Sequence, residues 1–501
     1  MGFAVSARET YPKKLRAGGA DDRSRHAPPP RFCTWTMPSN RHIRERAREP
    51  EACSRRRYLR RSGALLGAGL SLPDFLRLRA EAAALPAAPP KATSLIIVYL
   101  WGGLSHIDSL DPKPDAPPEV RGEFRPISTA TPGIAFSEHL PLLARQTGKL
   151  AVIRSIHHDD AAHGRGMYWN LTGHKPPRVG NIPPLTGDWP SIAAMVSTLR
   201  PPPEGVPPAV RIPYPLVDNG TLQAGEYGGW LGVKVEPIIM RPSGGEPFAG
   251  VSRSLGAETF EIGKIDTPRV SRREELRSRL DHMPGRAADF ASHDHFRDLA
   301  RDILLGSAVR EAHDIDRESP RVLESYGNHI GGRSLLLARR LTEAGVPVVQ
   351  VCCAAGDLNG ASGDMWDTHG DNFNRLKSRL LPVFDRSVSA LLEDLADRGT
   401  LDTTLVAVLT DFGRTPRVNG AAGRDHYPGV YSVALAGGGI RGGQVYGSSD
   451  GLGAFPRDRP CTPPDIHATL FHALGLSPRA ELRDPLGRVF PATDGEVLDL
   501  F

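Results

Sequence analysis

Four apolar stretches of this chain each run into a loop that carries both aspartate and histidine. After "SLIIVYL" come Ser105, His106, Asp108 and Asp111. After "LAVIRSI" come His157, His158, Asp159, Asp160 and His163. After "VPVVQVCC" come Asp357, Asp364, Asp367 and His369. After "TTLVAVLT" come Asp411 and Arg414, then Arg424, Asp425 and His426. A solvated turn often carries one aspartate, whereas imidazoles and carboxylates repeated at strand ends suit chemistry. Together they match Zn²⁺, Mn²⁺ or another divalent cation, with water or a substrate oxygen completing the shell. Two such ions can clamp a phosphoryl or sulfuryl group during displacement. No pair here has a diagnostic metal spacing, so a merely polar rim is the competing reading.

Strands and helices alternate along the chain to present these loops. Strands are expected at 94–100, at "LAVIRSI", "AVRIP", "VPVVQVCC" and "TTLVAVLT", and on both sides of the glycine run in "YSVALAGGGIRGGQVYGSS". Helices are expected at "HLPLLARQTG", at "WPSIAAMVSTL" with Asp188 or Trp189 near its cap, through much of 271–345, and at "TPPDIHATLFHALGL". Residues 371–398 read as one long amphipathic helix that Pro382 kinks. Apolar strands without alternation, separated by helices, imply an α/β fold with a mostly parallel central sheet flanked by helices. Ligands of such sheets bind at the carboxyl ends of the strands, where the four polar loops lie. Other motifs fail on context. Gly447-Ser448-Ser449-Asp450-Gly451 matches G-x-S-x-G but leads to Pro456 and Pro460 rather than a helix. "AGGGIRGG" lacks the lysine of a phosphate-binding loop and reads as a hairpin turn.

The net charge of +5 is unevenly spread. Residues 1–61 hold 16 Lys+Arg against 6 Asp+Glu, or +10, which leaves the rest near −5. The basic character belongs to the leader and gives no reason to expect nucleic acid binding. Within the leader, "SRRRYLRR" precedes a short apolar segment, "SGALLGAGLSLPDFL", and small residues suited to signal peptidase. This is similar to a twin-arginine export signal over 54–84, with Arg55 and Arg56 as the pair and cleavage near Ala84. The competing reading is a basic amphipathic surface helix. Residues 1–53 read as a disordered basic extension, with Met37 an alternative start, and 85–93 as a linker. No apolar run is long enough for an ordinary transmembrane helix. Cys352, Cys353 and Cys461 follow the leader and form no disulfide framework. Cys352 and Cys353 end an apolar strand and read as small core residues.

"GGLSHIDSLDPKPDAP", "HGRGMYWNLTGHKP", "WDTHGDNFNRLK" and "DFGRTPRVNG…GRDHYP" resemble the family called domain of unknown function 1501, from about Thr93 to the C-terminus. These exported bacterial proteins look like a divergent branch of the alkaline phosphatase and sulfatase superfamily. "LTGHKP" resembles the "LTGxxP" that follows the sulfatase nucleophile. "DIHATLFHALGL" resembles the superfamily's C-terminal helix. The resemblance implies an alkaline-phosphatase-like three-layer sandwich over 94–501, with a one- or two-metal site. It also implies zinc, manganese or calcium as cofactor, and a phosphate or sulfate ester, such as a sulfated or phosphorylated glycan, as substrate. The departures are specific. Counting back ten residues from Gly173 reaches His163, where the family pattern would place the Cys or Ser that becomes formylglycine. Asp411-Phe412 replaces Asp-His, and Asp367-Thr368-His369 replaces Asp-x-x-x-His.

Asp411, His426, Asp367, His369 and Asp108 are the candidate metal ligands. Against each stands a plainer role: a turn cap for Asp411, a satisfied loop histidine for His426, solvent-facing groups for Asp367 and His369, and turn ordering for Asp108. His163 reads as nucleophile, acid–base group or substrate contact, and His158 as a weaker version of the same. Arg414 either binds a substrate oxyanion or pairs with Asp411 or Asp425. Ser105 has no assignable base. These readings predict an exported, metal-dependent hydrolase of phosphate or sulfate esters, acting in the periplasm or outside the cell. The twin-arginine translocase would be its partner during export. The alternative is a catalytically degenerate protein that binds anionic glycans or cell-surface components.

Overall fold

Ser94–Leu100 forms a central strand, β1, in which all seven residues are buried. Residues on both sides of a strand lie buried only when both faces of the sheet are covered. Removing each large aliphatic side chain from water contributes roughly 1.5–3 kcal/mol. The other strands of the sheet are β2 (Leu150–Ile156), β3 (Val210–Ile212), β4 (Ile238–Ile239), β5 (Val348–Cys352), β6 (Thr404–Thr410), β7 (Tyr431–Ala436) and β8 (Gln444–Tyr446). The computed structural model describes residues 92–180, 182–218, 221–242, 272, 307–353 and 365–501. The expected extension, the signal segment, the linker up to Lys91, Asp357, Asp364 and most of the helical region before Ser307 lie outside these residues.

The eight strands lie in the order β8-β2-β7-β6-β1-β5-β3-β4. Every neighbouring pair is parallel except those made by β7, which runs against β6 and β2. This is the mostly parallel sheet that the apolar runs imply. Leu100 pairs with Thr410 and Tyr99 with Cys352, so β6, β1 and β5 end level with one another. Ile156, at the end of β2, pairs with Tyr431 at the start of β7, on the same edge. All four polar loops therefore leave from one edge.

Helix α1 (His163–Thr172) follows β2, and α2 is Ile192–Leu199. Helix α3 (Ile330–Glu343) packs on β5 and on α4 (Leu381–Asp397), while α5 (Pro463–Ala473) packs on α1. Ser191, rather than Asp188 or Trp189, caps α2 by accepting from the Ala194 amide. Residues 372–397 are not one uniform helix. A π turn over Leu376–Leu380 precedes α4. Pro382 has no N–H for the carbonyl four residues back, and its ring crowds that carbonyl, so the turn widens. The glycine run is no hairpin turn. β7 and β8 flank β2 on its two sides, and the run carries the chain across β2.

The end of β1 is tied to its neighbours by close backbone contacts. Thr410 Oγ1 donates to the Leu100 carbonyl at 2.8 Å and accepts from the Leu104 amide at 3.0 Å. Gly102 has φ +110°, and a Cβ there would lie 2.5 Å from the Asp367 amide nitrogen. Only glycine lets the two loops meet this closely. Gly102→Ala is expected to cost about 2 kcal/mol of unfolding free energy, the range for a strained position with a clash. Urea denaturation measures it, and an unchanged midpoint would show that the Asp367 segment does not press on this glycine.

Candidate metal centre

Asp411 directly follows β6 and is fully buried. Its Oδ1 accepts from the Gly102 amide at 3.1 Å, and its Oδ2 lies 2.5 Å from His163 Nδ1. Its own carbonyl accepts from His158 Nε2 at 2.7 Å and Asn170 Nδ2 at 3.0 Å. Helix α1 reaches this carbonyl because Gly166 leaves space; a Cβ there would come within 2.8 Å of it. His163, the first residue of α1, is thereby held with Nδ1 on Asp411 and Nε2 turned the other way.

The loop before α4 brings Asp367 and His369. The Trp366 amide donates to the Trp101 carbonyl at 3.0 Å, and the Arg424 amide to the Thr368 carbonyl at 3.0 Å. His426 comes from a short antiparallel ribbon that pairs Gly413–Arg414 with His426–Tyr427. Three histidine nitrogens then meet one oxygen. Asp367 Oδ1 is 3.4 Å from His163 Nε2, 3.1 Å from His369 Nε2 and 3.2 Å from His426 Nε2. Arg414 Nη2 donates to the same oxygen at 2.5 Å.

The other ring nitrogens fix the tautomers. His163 Nδ1 faces the Asp411 carboxylate, His369 Nδ1 the Asp425 carboxylate at 2.7 Å, and His426 Nδ1 the Ala161 carbonyl at 2.7 Å. These partners only accept, so each Nδ1 carries a proton, and a ring that is neutral turns an Nε2 lone pair inward. Lone pairs gathered on a carboxylate repel unless a cation sits among them. His369 Nε2 and His426 Nε2 are only 2.9 Å apart, and buried His163 Nε2 has no hydrogen-bond partner. One ligand atom from each of His163, Asp367 and His426 lies within 4.8 Å of the others. The donor set therefore fits a divalent metal held by these three residues with His369 beside them. Three imidazoles with one carboxylate suit zinc and suit calcium poorly, because calcium takes oxygen ligands.

Without a metal, a proton supplies the cation. Burial lowers the His163 pKa, but the contacts with Asp367 and Asp411 outweigh it and raise it to about 9. Burial also opposes charge on Asp367, yet His163, His426 and Arg414 hold its carboxyl well below the usual carboxylate range. Burial, reinforced by the charges of His163 and Arg414, keeps His426 below its ordinary value.

The structure brings together His163, Asp367, His369 and His426, with Asp411 behind His163. It places the other candidates elsewhere. Asp108 is fully buried and bound by Arg424 at 2.7 and 3.0 Å, Ser105 at 2.6 Å and Asn372 at 2.9 Å, so its oxygens are already occupied. Arg414 is fully buried as well. It donates to the carbonyls of Gly102, Gly103 and Arg424 besides Asp367, which leaves no fork for a substrate oxyanion. His158 has both ring nitrogens engaged, one on the Asp411 carbonyl and one on the Asp160 amide, and supports backbone rather than chemistry. Asp411 has both carboxylate oxygens used by Gly102 and His163, so it orients a ligand.

Two carboxylates near the centre carried little sequence signal. Asp425 backs His369 from the "GRDHYP" stretch, where His426 draws the attention. Asp218 ends the short strand Val217–Asp218. Burial raises its pKa, and the charges of His163, Asp411, Asp367 and His426 act on it as well. In the sequence it only opens an Asp-Asn-Gly triplet.

The family described as "Protein of unknown function (DUF1501)" matches residues 92–500. No curated protein matches the chain. Among solved structures, the chain is similar to Ps i-CgsB, with 11% identity, a TM-score of 0.38 and 77% of this chain covered against 72% of that one. It is similar to the PsFucS1 sulfatase from Pseudoalteromonas sp., with 12% identity, a TM-score of 0.35 and coverage of 84% and 72%. It is also similar to the phosphonate monoester hydrolase SpPMH from Silicibacter pomeroyi, with 12% identity, a TM-score of 0.32 and coverage of 81% and 76%.

Two predictions separate ligands from scaffold. Asp367→Asn is expected to weaken zinc binding by more than the 10–100-fold typical of an outer partner, as read by chelator competition. Asp108→Ala is expected to keep the zinc ligands but lose about 3–5 kcal/mol of stability, because it strands the buried Arg424 charge. The reverse pattern would put the ion at Asp108. The raised His163 pKa also sets a pH dependence. In the metal-free protein, the imidazolium stabilises the fold fully below about 6.5 and loses that effect as pH rises through about 9. Metal must displace this proton, so zinc affinity should fall about tenfold for each pH unit below that value. Affinity independent of pH between 7 and 9 would contradict a protonated His163.

Proposed function

We propose that this chain, which belongs to the DUF1501 family, is an exported metal-dependent hydrolase of phosphate or sulfate esters. The observation that carries this reading is the convergence of three imidazole Nε2 atoms on Asp367 Oδ1 at 3.1 to 3.4 Å. The ester class rests on the sequence resemblances, "LTGHKP" above all. A divalent metal at this point would act as a Lewis acid on an ester oxygen. Asp411, Asp425 and the Ala161 carbonyl orient the three rings. Arg414 partly neutralises Asp367 and fixes the oxygen that faces them. The side chain of His369 is 46% exposed and that of His426 24%, so substrate approaches over this edge. His163 occupies the position counted for a formylglycine precursor, and imidazole cannot be converted to formylglycine. Ser105 is buried against Asp108. The reading is therefore a displacement by water: the water oxygen bonds to phosphorus or sulfur as the bond to the ester oxygen breaks, the water gives up a proton to solvent, and the departing alkoxide takes one from solvent to leave as an alcohol.

A second reading, a protein that binds anionic glycans without turnover, is favoured by one observation. Arg414, the candidate oxyanion clamp, is consumed by the polypeptide. The experiment that decides between them is elemental analysis of the purified protein, with a panel of phosphate and sulfate esters. Bound zinc or manganese, with turnover lost in Asp367→Asn, supports the enzyme. Bound metal without turnover of any ester leaves the binding reading. Neither metal nor turnover overturns the hydrolase.

Export through the twin-arginine route belongs to the same proposal, since that route carries proteins folded with metal already in place. Among the described residues, no helix is long and apolar enough to cross a membrane. Replacing Arg55 and Arg56 together by lysine is expected to retain the protein in the cytoplasm, as followed by cell fractionation. Unchanged export would remove the twin-arginine assignment.

A further inference from the structure

The three inward-facing histidines differ in what stands behind them. His163 is backed by the fully buried Asp411, and His426 by a backbone carbonyl. His369 alone depends on an exposed side chain, Asp425, whose Oδ1 lies 2.7 Å from His369 Nδ1. The Asp425 side chain is 53% exposed, so as an ordinary surface pair it would contribute little to stability. Yet it is held from several directions. Its amide donates to Thr415 Oγ1 at 3.0 Å, and its carbonyl accepts from the Thr415 amide at 2.9 Å. Asn419 Nδ2 donates both to Asp425 Oδ1 at 3.2 Å and to the His369 carbonyl at 2.9 Å. Asn419 Oδ1 accepts from the amides of Ala421 and Gly423, which sets its side chain in turn. One asparagine thus grips the carboxylate and the backbone of the histidine that it orients.

We infer that Asp425 is a positioning residue for the metal centre, which with Asn419 aims His369 Nε2 at the ion and so sets how firmly the ion is retained. This inference rests on the metal reading proposed above. The carboxylate keeps the proton on Nδ1, turns the ring and strengthens Nε2 as a donor. Because this support is exposed whereas Asp411 is buried, His369 is the ligand most easily released.

The test is the zinc dissociation constant of the full-length protein and its variants by chelator competition, with the metal-free thermal midpoint measured alongside. Asp425→Asn is expected to weaken zinc binding about 10–100-fold and to leave the metal-free midpoint nearly unchanged; Asn419→Ala is expected to weaken zinc binding to a similar extent but also to lower the midpoint, because it unpairs the Ala421 and Gly423 amides. In a His369→Ala background, Asp425→Asn should have no further effect, since nothing remains to be oriented. Asp425→Glu should recover part of the affinity. Unchanged affinity in Asp425→Asn, or an equal loss with and without His369, overturns the inference while the metal centre stands. A wild-type protein that binds neither zinc nor manganese removes the metal reading itself.

Discussion

One carboxylate oxygen organises this protein. Asp367 Oδ1 receives a buried guanidinium and faces three imidazole nitrogens drawn from separate parts of the chain. That concentration of donors around a single anion is electrostatically satisfied only with positive charge at its centre. In the metal-free protein the His163 proton and Arg414 provide it. A divalent cation would do so with shorter bonds to all the inward-facing atoms. The glycine at the end of β1 and the partners behind each ring hold that convergence.

Two fully buried arginines form the frame. Arg414 joins the loop after β1 to the ribbon that carries His426. Arg424 joins Asp108 to the carbonyls of Val120 and Thr415. A buried charge is costly unless its whole hydrogen-bonding capacity is met, and here backbone carbonyls and carboxylates meet it. The arrangement makes the strand-end loops mutually dependent. Removing one partner leaves a charge without water or counterion, so loops that would otherwise be independent fold as one unit with the sheet.

The sheet was legible because β1, β2, β5, β6 and β7 are apolar without alternation, a direct consequence of burial on both faces. The edge carrying the chemistry followed from strand direction alone. Individual roles were harder. Asp108, Asp367 and Asp411 look alike in sequence, each a carboxylate after an apolar strand, and their fates diverge through partners elsewhere in the chain. Asp108 meets Arg424 and Asp411 meets His163, and neither meeting is encoded in local spacing. The same limit applies to Asp425, whose importance comes from a histidine at position 369, and to the glycine run, whose path depends on where β2 inserts. His163 stood out only because a different residue type was expected at that place.

The measurement that bears most directly on the account is a crystal structure of the zinc-loaded protein with anomalous diffraction at the zinc edge. The account predicts a single strong peak bonded to Nε2 of His163 and His426 and to the Asp367 carboxylate, at about 2.0–2.2 Å, with His369 Nε2 at or near bonding distance. A peak centred on Asp108, or on Asp411 away from His163 Nε2, would contradict it, and so would the absence of any peak in this cluster.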